Sequence, residues 1–262
     1  MNALAYDWSM IAGLWRRDLV LFLRQRSRLL GALLPPLLLW LAIGAGMAPN
    51  FALADGSVGY LEYFYPGVIF MLILQVSISA TMSVIEDRRQ GLLQGVLVAP
   101  GSRAALALGK TSGSATVALL NAVLFVALAP LAGFPFTDIS WPLLVLVLGA
   151  AALALTAMGF MIAWALDSIQ GYHIVMNLVL FPLWILSGAM FPTDRLHPVM
   201  AVVVRWNPLS YTMSGLRRAL YGGVPPTATE LPWSSPALDL AVILGSTLLL
   251  LVGACWVASR RP

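Results

Sequence analysis

Six apolar stretches determine what this chain can fold into. A membrane-spanning helix needs about 20 consecutive, mostly apolar residues, and six stretches reach that length: 29–48, 65–85, 112–134, 141–166, 172–191 and 237–258. Hydrophobic residues make up 60% of the chain and charged residues 10%, whereas soluble proteins have about 45–50% and about 25%. The sequence therefore predicts an all-α integral membrane protein, with a six-span transmembrane domain over residues 29–258.

The distribution of Lys and Arg predicts the orientation of these spans. Cytoplasmic loops of membrane proteins carry an excess of both residues. With the N-terminus inside, the cytoplasmic segments hold eleven of them and the outer segments hold four, all in the loop 192–236. We therefore expect an N-in/C-in topology, which places the charged segment 86–111 in the cytoplasm.

Residues 1–28 have the pattern of an amphipathic helix. Apolar residues recur there at spacings of three and four, at Leu4, Trp8, Ile11, Trp15, Leu19 and Phe22. A basic helix with Trp residues suits the membrane interface, so Trp8, Trp15, Arg16 and Arg17 are its candidate contact residues. The alternative is a basic flank that only sets orientation. We expect a bend after this helix, where Pro35 and Pro36 interrupt the first span.

The chemistry of a nucleotide or metal site has little support. Gly109-Lys110-Thr111 matches the last residues of a P-loop, but Ala104 stands where that motif requires its first glycine. We therefore expect Lys110 to be a positive anchor at the cytoplasmic end of the third span. The sequence contains no Cys cluster and no closely spaced His pair for a metal. The spans contain almost no ionisable residue, which argues against an ion-coupled transporter; Asp167, between two spans, is expected to be solvated.

Two loops and one span carry further structural signals. In the cytoplasmic segment, Leu92, Val96 and Ala99 predict a short helix that Pro100 ends, although a plain connecting loop is the alternative. In the loop 192–236, Pro208 and Gly222-Gly223 predict the start and end of a short helix that lies on or dips into the outer leaflet; an exposed surface loop is the alternative. In the fourth span, small residues spaced by four predict close helix contacts, at Ala152/Thr156 and Gly159/Ala163.

Two groups of residues resemble the type-2 ABC transporter permeases, the membrane subunits of ATP-driven exporters. The first resembles the family's coupling-helix region and comprises Glu86, Arg88, Gly91, Leu92, Leu97 and Pro100, followed by Arg103 and Gly109-Lys110. The second resembles the signature around the fifth span and comprises Ser187-Gly188, Phe191-Pro192, Asn207-Pro208, Tyr211 and Leu216-Arg217. The resemblance covers nearly the whole chain.

The resemblance implies a permease subunit that is not itself an ATPase. Two separate ATPase subunits, which bind ATP and Mg, would dock on the coupling segment, with Asp87 and Arg89 among its residues. Ser187, Gly188, Pro192, Asn207, Pro208, Tyr211 and Arg217 would form an outer gate or loop. A second permease copy, expected to be identical, would complete the complex in the bacterial cytoplasmic (inner) membrane, without a bound cofactor or metal in this chain and without nucleic acid.

The sequence leaves alternatives open both for the transported substrate and for the class of function. The motifs look most like the drug and lipo-oligosaccharide exporter branch, which implies an amphiphilic, drug-like or lipid-linked substrate. Arg24-Gln25-Arg26-Ser27-Arg28 resembles the polysaccharide-exporter branch instead. A membrane anchor that assembles a partner complex without transport is the alternative from a different class.

Overall fold

The computed structural model describes residues 3–24, 26–47, 58–93, 95, 101–193, 197–226 and 231–260. Within these ranges the chain forms helices and turns but no β-strand, which confirms the predicted all-α class. The α-helices there are α1 (Ala3–Arg24), α2 (Arg26–Met47), α3 (Tyr60–Thr81), α4 (Ser83–Arg89), α5 (Arg103–Val126), α6 (Trp141–Ala165), α7 (Ile169–Trp184), α8 (Pro198–Trp206), α9 (Pro208–Leu220) and α10 (Pro236–Arg260). A 3-10 helix covers Ala129–Ala132, and a π-helical turn, Ile185–Ala189, extends α7.

Within the described ranges, four helical segments are long and apolar enough to cross a membrane, which agrees with a multi-pass membrane protein. They are Tyr60–Arg89, Trp141–Ala165, Ile169–Ala189 and Pro236–Arg260, and Gly31–Met47 is a shorter apolar helix. The predicted count of six and the predicted orientation therefore stay predictions.

The third predicted span differs from the helix that forms. The sequence predicted 112–134, whereas α5 runs from Arg103 to Val126. Ser102 begins the helix early because its side chain accepts a hydrogen bond from the amide of Ala105. The 3-10 helix that follows α5 ends at Gly133, whose φ is 99°. The shift places Lys110 inside the helix rather than before it.

Helix α3 is the centre of the packing and is largely buried, whereas α7 and α10 are mostly exposed. Helix α3 packs against α2, α5 and α6. Aromatic side chains tie it to its neighbours, because Tyr65 donates a hydrogen bond to the Phe125 carbonyl at 2.7 Å and Trp184 donates one to the Gly67 carbonyl at 3.0 Å. Such hydrogen bonds satisfy polar groups that have no water to bond to in a membrane interior.

The small residues of α6 lie at close helix contacts, which confirms that prediction. Thr156 donates a hydrogen bond to the carbonyl of Thr111 on α5 at 3.2 Å. A Cβ atom added at Gly159 would lie 2.5 Å from the hydroxyl of Thr81, so only glycine fits there. Without a hydrophobic driving force between helices in lipid, such close packing is a main source of association.

Helix α1 packs lengthwise along α5. A Cβ atom at Gly109 of α5 would lie 3.0 Å from the Leu14 side chain, so the two helices approach closely. The predicted apolar face of α1 is divided by this contact: Phe22 is buried, whereas Trp8 is 70% exposed. The next helix, α2, continues through Pro35 and Pro36, where a bend was expected.

Candidate functional site

Four charged side chains form an ion cluster where α1, α4 and α5 meet. Asp87 of α4 receives two hydrogen bonds from Arg17, at 2.9 and 2.5 Å, and lies 2.5 Å from Lys110. Lys110 also donates to the carboxylate of Asp18 at 3.2 Å. The cluster therefore joins the N-terminal helix, the start of the charged segment and α5 through charge-assisted hydrogen bonds, which are stronger than neutral ones.

The prediction that Lys110 is a simple anchor is wrong. Lys110 is only 1% exposed, because α5 begins at Arg103 and carries Lys110 into the packed interior. A buried ammonium is tolerated when carboxylates compensate its charge. The charges of the two acids and two bases in the cluster balance. Burial raises the pKa of the Asp18 carboxyl, and the nearby Lys110 offsets only part of this effect.

Arg88 and Arg89 attach the end of α4 to the turn between α6 and α7. Arg88 donates hydrogen bonds to the Asp167 carboxylate at 2.9 Å and to the Trp164 carbonyl at 3.0 Å, and its guanidinium lies 5.3 Å from the Trp164 ring centroid. Arg89 donates to the Asp167 carbonyl at 2.7 Å. The Asp167 side chain is 92% exposed, which confirms that it is solvated. Movement of α4 would therefore be transmitted to this turn.

Directly after Arg89, the described residues Gln90, Gly91 and Leu92 lie at the surface. Gly91 has a φ of 74°, a left-handed conformation that glycine adopts without strain. The next residue, Leu92, is 48% exposed, while Leu93 is buried beside it and Glu86 is half-buried. Val96, Leu97, Ala99 and Pro100 lie outside the described residues. Leu92 is thus an apolar side chain presented directly beyond the ion cluster.

The predicted interface residues of α1 divide between packing and exposure. Trp15 donates a hydrogen bond from its indole to the Thr116 hydroxyl of α5 at 2.9 Å. Arg16 and Trp8 point away from the helix packing and are exposed. Arg17 donates to Asp87 in the ion cluster, and the membrane contacts expected of these four residues stay predictions.

At the opposite end of α3, Gly188 is the centre of a second polar site. Its carbonyl accepts hydrogen bonds from the Tyr63 hydroxyl at 2.8 Å and from Arg217 at 2.7 Å. The Arg217 guanidinium also lies 4.4 Å from the Tyr63 ring centroid. Ser187 is buried and donates to the Trp184 carbonyl within the same turn, and Pro192 is half-buried. The left-handed Gly188, with a φ of 82°, turns its carbonyl toward these donors.

Arg217 and Arg218 are two of the four basic residues counted in the loop 192–236, and both are buried. Arg218 donates to the carboxylate of Asp239 at 3.1 Å, and the Ser214 hydroxyl donates to the same oxygen at 2.8 Å. Helix α9 packs against α6 and α10, and α10 supplies Asp239 as the partner of Arg218. The loop thus contributes a buried ion pair, between Arg218 and Asp239.

The helix predicted after Pro208 is confirmed as α9, and Asn207 caps it. The Asn207 side-chain oxygen accepts a hydrogen bond from the Leu209 amide at 3.0 Å, and its amide donates to the Leu183 carbonyl at 2.7 Å. Pro208 occupies the first helical position, where its missing N–H is not needed. Tyr211 donates to a carbonyl of α8, and left-handed glycines follow the end of α9 as expected.

The two polar sites lie at opposite ends of one helical segment. Tyr63 and Asp87 are separated by roughly 36 Å along Tyr60–Arg89 if the rise is that of an α-helix. That distance exceeds the hydrocarbon thickness of a bilayer, about 30 Å. The ion cluster and the Gly188 site are therefore spaced to lie near the two faces of a membrane.

Comparison with known proteins gives one family and several relatives. The family model described as "ABC-2 type transporter" matches residues 11–221. Nodulation protein J of Rhizobium leguminosarum bv. trifolii is 26% identical over 79% of this chain and 80% of its own. Nodulation protein J of Rhizobium meliloti (strain 1021) is 27% identical over 83% of each chain. A putative transport permease, ycf38, of Cyanophora paradoxa is 26% identical over 75% of this chain and 70% of its own.

Proposed function

Because this chain belongs to the ABC-2 type transporter family, we propose that it is the membrane subunit of an ATP-driven exporter of amphiphilic substrates. The family consists of transport permeases, which are transmembrane subunits rather than ATPases. In the proposed complex, two ATPase subunits supply ATP hydrolysis and a second copy of this chain completes the path across the bacterial cytoplasmic membrane.

The ion cluster is the observation that carries the proposed coupling mechanism. Asp87 and Arg88 bind the base of the charged segment to α1, α5 and the α6–α7 turn at once. A partner that pushed on Leu92 would therefore displace several helices together instead of bending a free loop. ATP hydrolysis can drive transport through such contacts only if the partner binds two conformations of the permease differently.

An N-in/C-in topology is part of this proposal. It places the ion cluster and Leu92 on the cytoplasmic side, where ATPase subunits would dock, and the Gly188 site on the outer side. Arg217, Arg218 and the Tyr63 hydrogen bond then close the outer end of the helix bundle. The roughly 36 Å between the two sites supports this arrangement.

The proposal is tested on the permease purified together with its ATPase subunits and reconstituted in lipid vesicles. Leu92→Asp is expected to abolish transport and the permease-dependent part of ATP hydrolysis, because it places a charge in an apolar contact. Gln90→Asp is the matched control, since Gln90 is exposed and polar in the same segment. Full coupled transport by Leu92→Asp would refute the docking role of this segment. Purification of the wild-type chain without any ATPase after crosslinking would favour the anchor alternative.

A further inference from the structure

A cavity of about 530 Å³ lies between α1, α2, α3, α4 and α5, next to the ion cluster. This volume falls within the range of about 300–1,000 Å³ that small-molecule sites have. The α2 wall consists of short or ring side chains at helical spacing, at Gly31, Ala32, Pro35 and Pro36. Because these residues cannot extend toward α3, space remains between the two helices.

The wall formed by α3 and α4 has a polar stripe. Gln75, Ser79 and Ser83 are spaced by four and all line the cavity, so they lie on one face of the helical segment. The buried Ser83 hydroxyl has no hydrogen-bond partner among the described residues. A buried hydroxyl without a partner costs free energy, and a ligand that hydrogen-bonds to it would remove that cost.

The two ends of the cavity differ in chemistry. Asp18 and Ser114 line it together with Ser83, and these residues surround the end that meets the ion cluster. Met71 lies twelve positions before Ser83, roughly 18 Å away along a helix, and Phe22 adds further apolar wall. The cavity thus combines a polar end and one polar stripe with apolar walls, which is the pattern of an amphiphile that carries several hydroxyl groups.

The charges around the polar end select the kind of head group. Asp18 faces the cavity but already accepts a hydrogen bond from Lys110, and the ion cluster as a whole is balanced. A head group with a net charge would disturb that balance, whereas hydroxyl groups could bond to Asp18 and Ser83 without doing so. Leu21, Gly31 and Pro35 are exposed, so the cavity opens between α1 and α2, toward the surrounding lipid.

We propose that this cavity within a single permease subunit binds an uncharged, hydroxyl-bearing amphiphile, with its head beside Asp18 and Ser83 and its apolar chain toward Met71. The ligand enters from the lipid between α1 and α2. Its role as transported cargo rests on the proposed function, but its binding does not. The ligand would contact residues beside the ion cluster. Its binding would therefore affect the contacts that link α4 to α1 and α5.

The test is photolabelling of the full-length chain in lipid nanodiscs with an alkyl glucoside that carries a diazirine in its chain. Labelling is expected on α3 between Met71 and Ser83, and unlabelled decyl glucoside should compete for it. Ala32→Trp should abolish this labelling by filling the cavity. Ser83→Ala should raise the half-saturating concentration by about two- to tenfold, the effect of one hydrogen bond.

The control is Leu178→Trp, which adds the same ring on the exposed face of α7, away from the cavity; its labelling should equal that of the wild type. Labelling spread evenly over lipid-facing helices, or unchanged in Ala32→Trp, would refute the site. Equal, saturable labelling by a diazirine phosphatidylglycerol, whose head group carries a net negative charge, would refute the uncharged head group and identify membrane phospholipid as the occupant. Labelling at the site of a chain that recruits no ATPase would refute the proposed function alone.

Discussion

Replacing Lys110 by Met tests whether the ion cluster holds the N-terminal helix to α4. Met has nearly the length and volume of Lys, so the change removes the charge and leaves the packing close to native. Asp18 and Asp87 would then share only Arg17, whose side chain is 36% exposed. One buried negative charge would remain without compensation.

The expected cost is large because breaking a buried pair leaves an unpaired charge. Removing one partner of a buried ion pair costs about 3–5 kcal/mol. At about 2–4 °C per kcal/mol for chains of this size, the unfolding midpoint should fall by roughly 6–20 °C. The double variant Asp87→Asn/Lys110→Met restores charge balance and should lose about 1–3 kcal/mol less than the sum of the two single variants.

The assay is thermal unfolding of the purified permease in one detergent. Unfolding is measured as the loss of the monodisperse peak in size-exclusion chromatography. Arg16→Met is the matched control, because Arg16 is an exposed base of α1 and its removal should cost under about 0.5 kcal/mol. If Lys110→Met unfolded within 2 °C (about 1 kcal/mol) of the control, the cluster would contribute little to stability and the coupling argument would lose its basis.

Three further predictions follow from other parts of the structure. Gly188→Ala should lower the free energy of unfolding by about 1–2 kcal/mol, because its φ of 82° is left-handed, whereas Gly245→Ala, in open space within α10, should be neutral or stabilising in the same thermal assay. Burial raises the pKa of Asp18, so its ionised form destabilises the folded protein. As the pH falls from 7 through that raised pKa, the wild type should therefore gain stability relative to Asp18→Asn. The gain should be complete below the pKa of Asp in the unfolded chain, about 3.9. A constant difference in unfolding midpoint between pH 7 and pH 4 would contradict this sign. In a cysteine-free background, Gln90→Cys should react with an impermeant maleimide only from the cytoplasm and Val224→Cys only from outside; the reverse pattern would overturn the proposed topology.

Local sequence patterns were sufficient for much of the fold. The length of the apolar stretches predicted an all-helical membrane protein, and the spacing of small residues in α6 predicted the contacts of Thr156 and Gly159. Pro208 and Gly222 likewise bounded α9. These features follow from the chemistry of neighbouring residues, since helix propensity, capping and amphipathicity depend on positions a few residues apart.

The tertiary structure alone decided the partners of the charged residues. Arg17 and Asp87 are 70 residues apart in sequence, and Asp18 and Lys110 are 92 apart, so no local pattern connects them. Each lies in the sequence beside an apolar stretch, the usual position of a solvated charge at a helix end. Only the packing of α1 along α5 excludes water from that place, and an excluded charge must then find its opposite among the residues that the fold brings near.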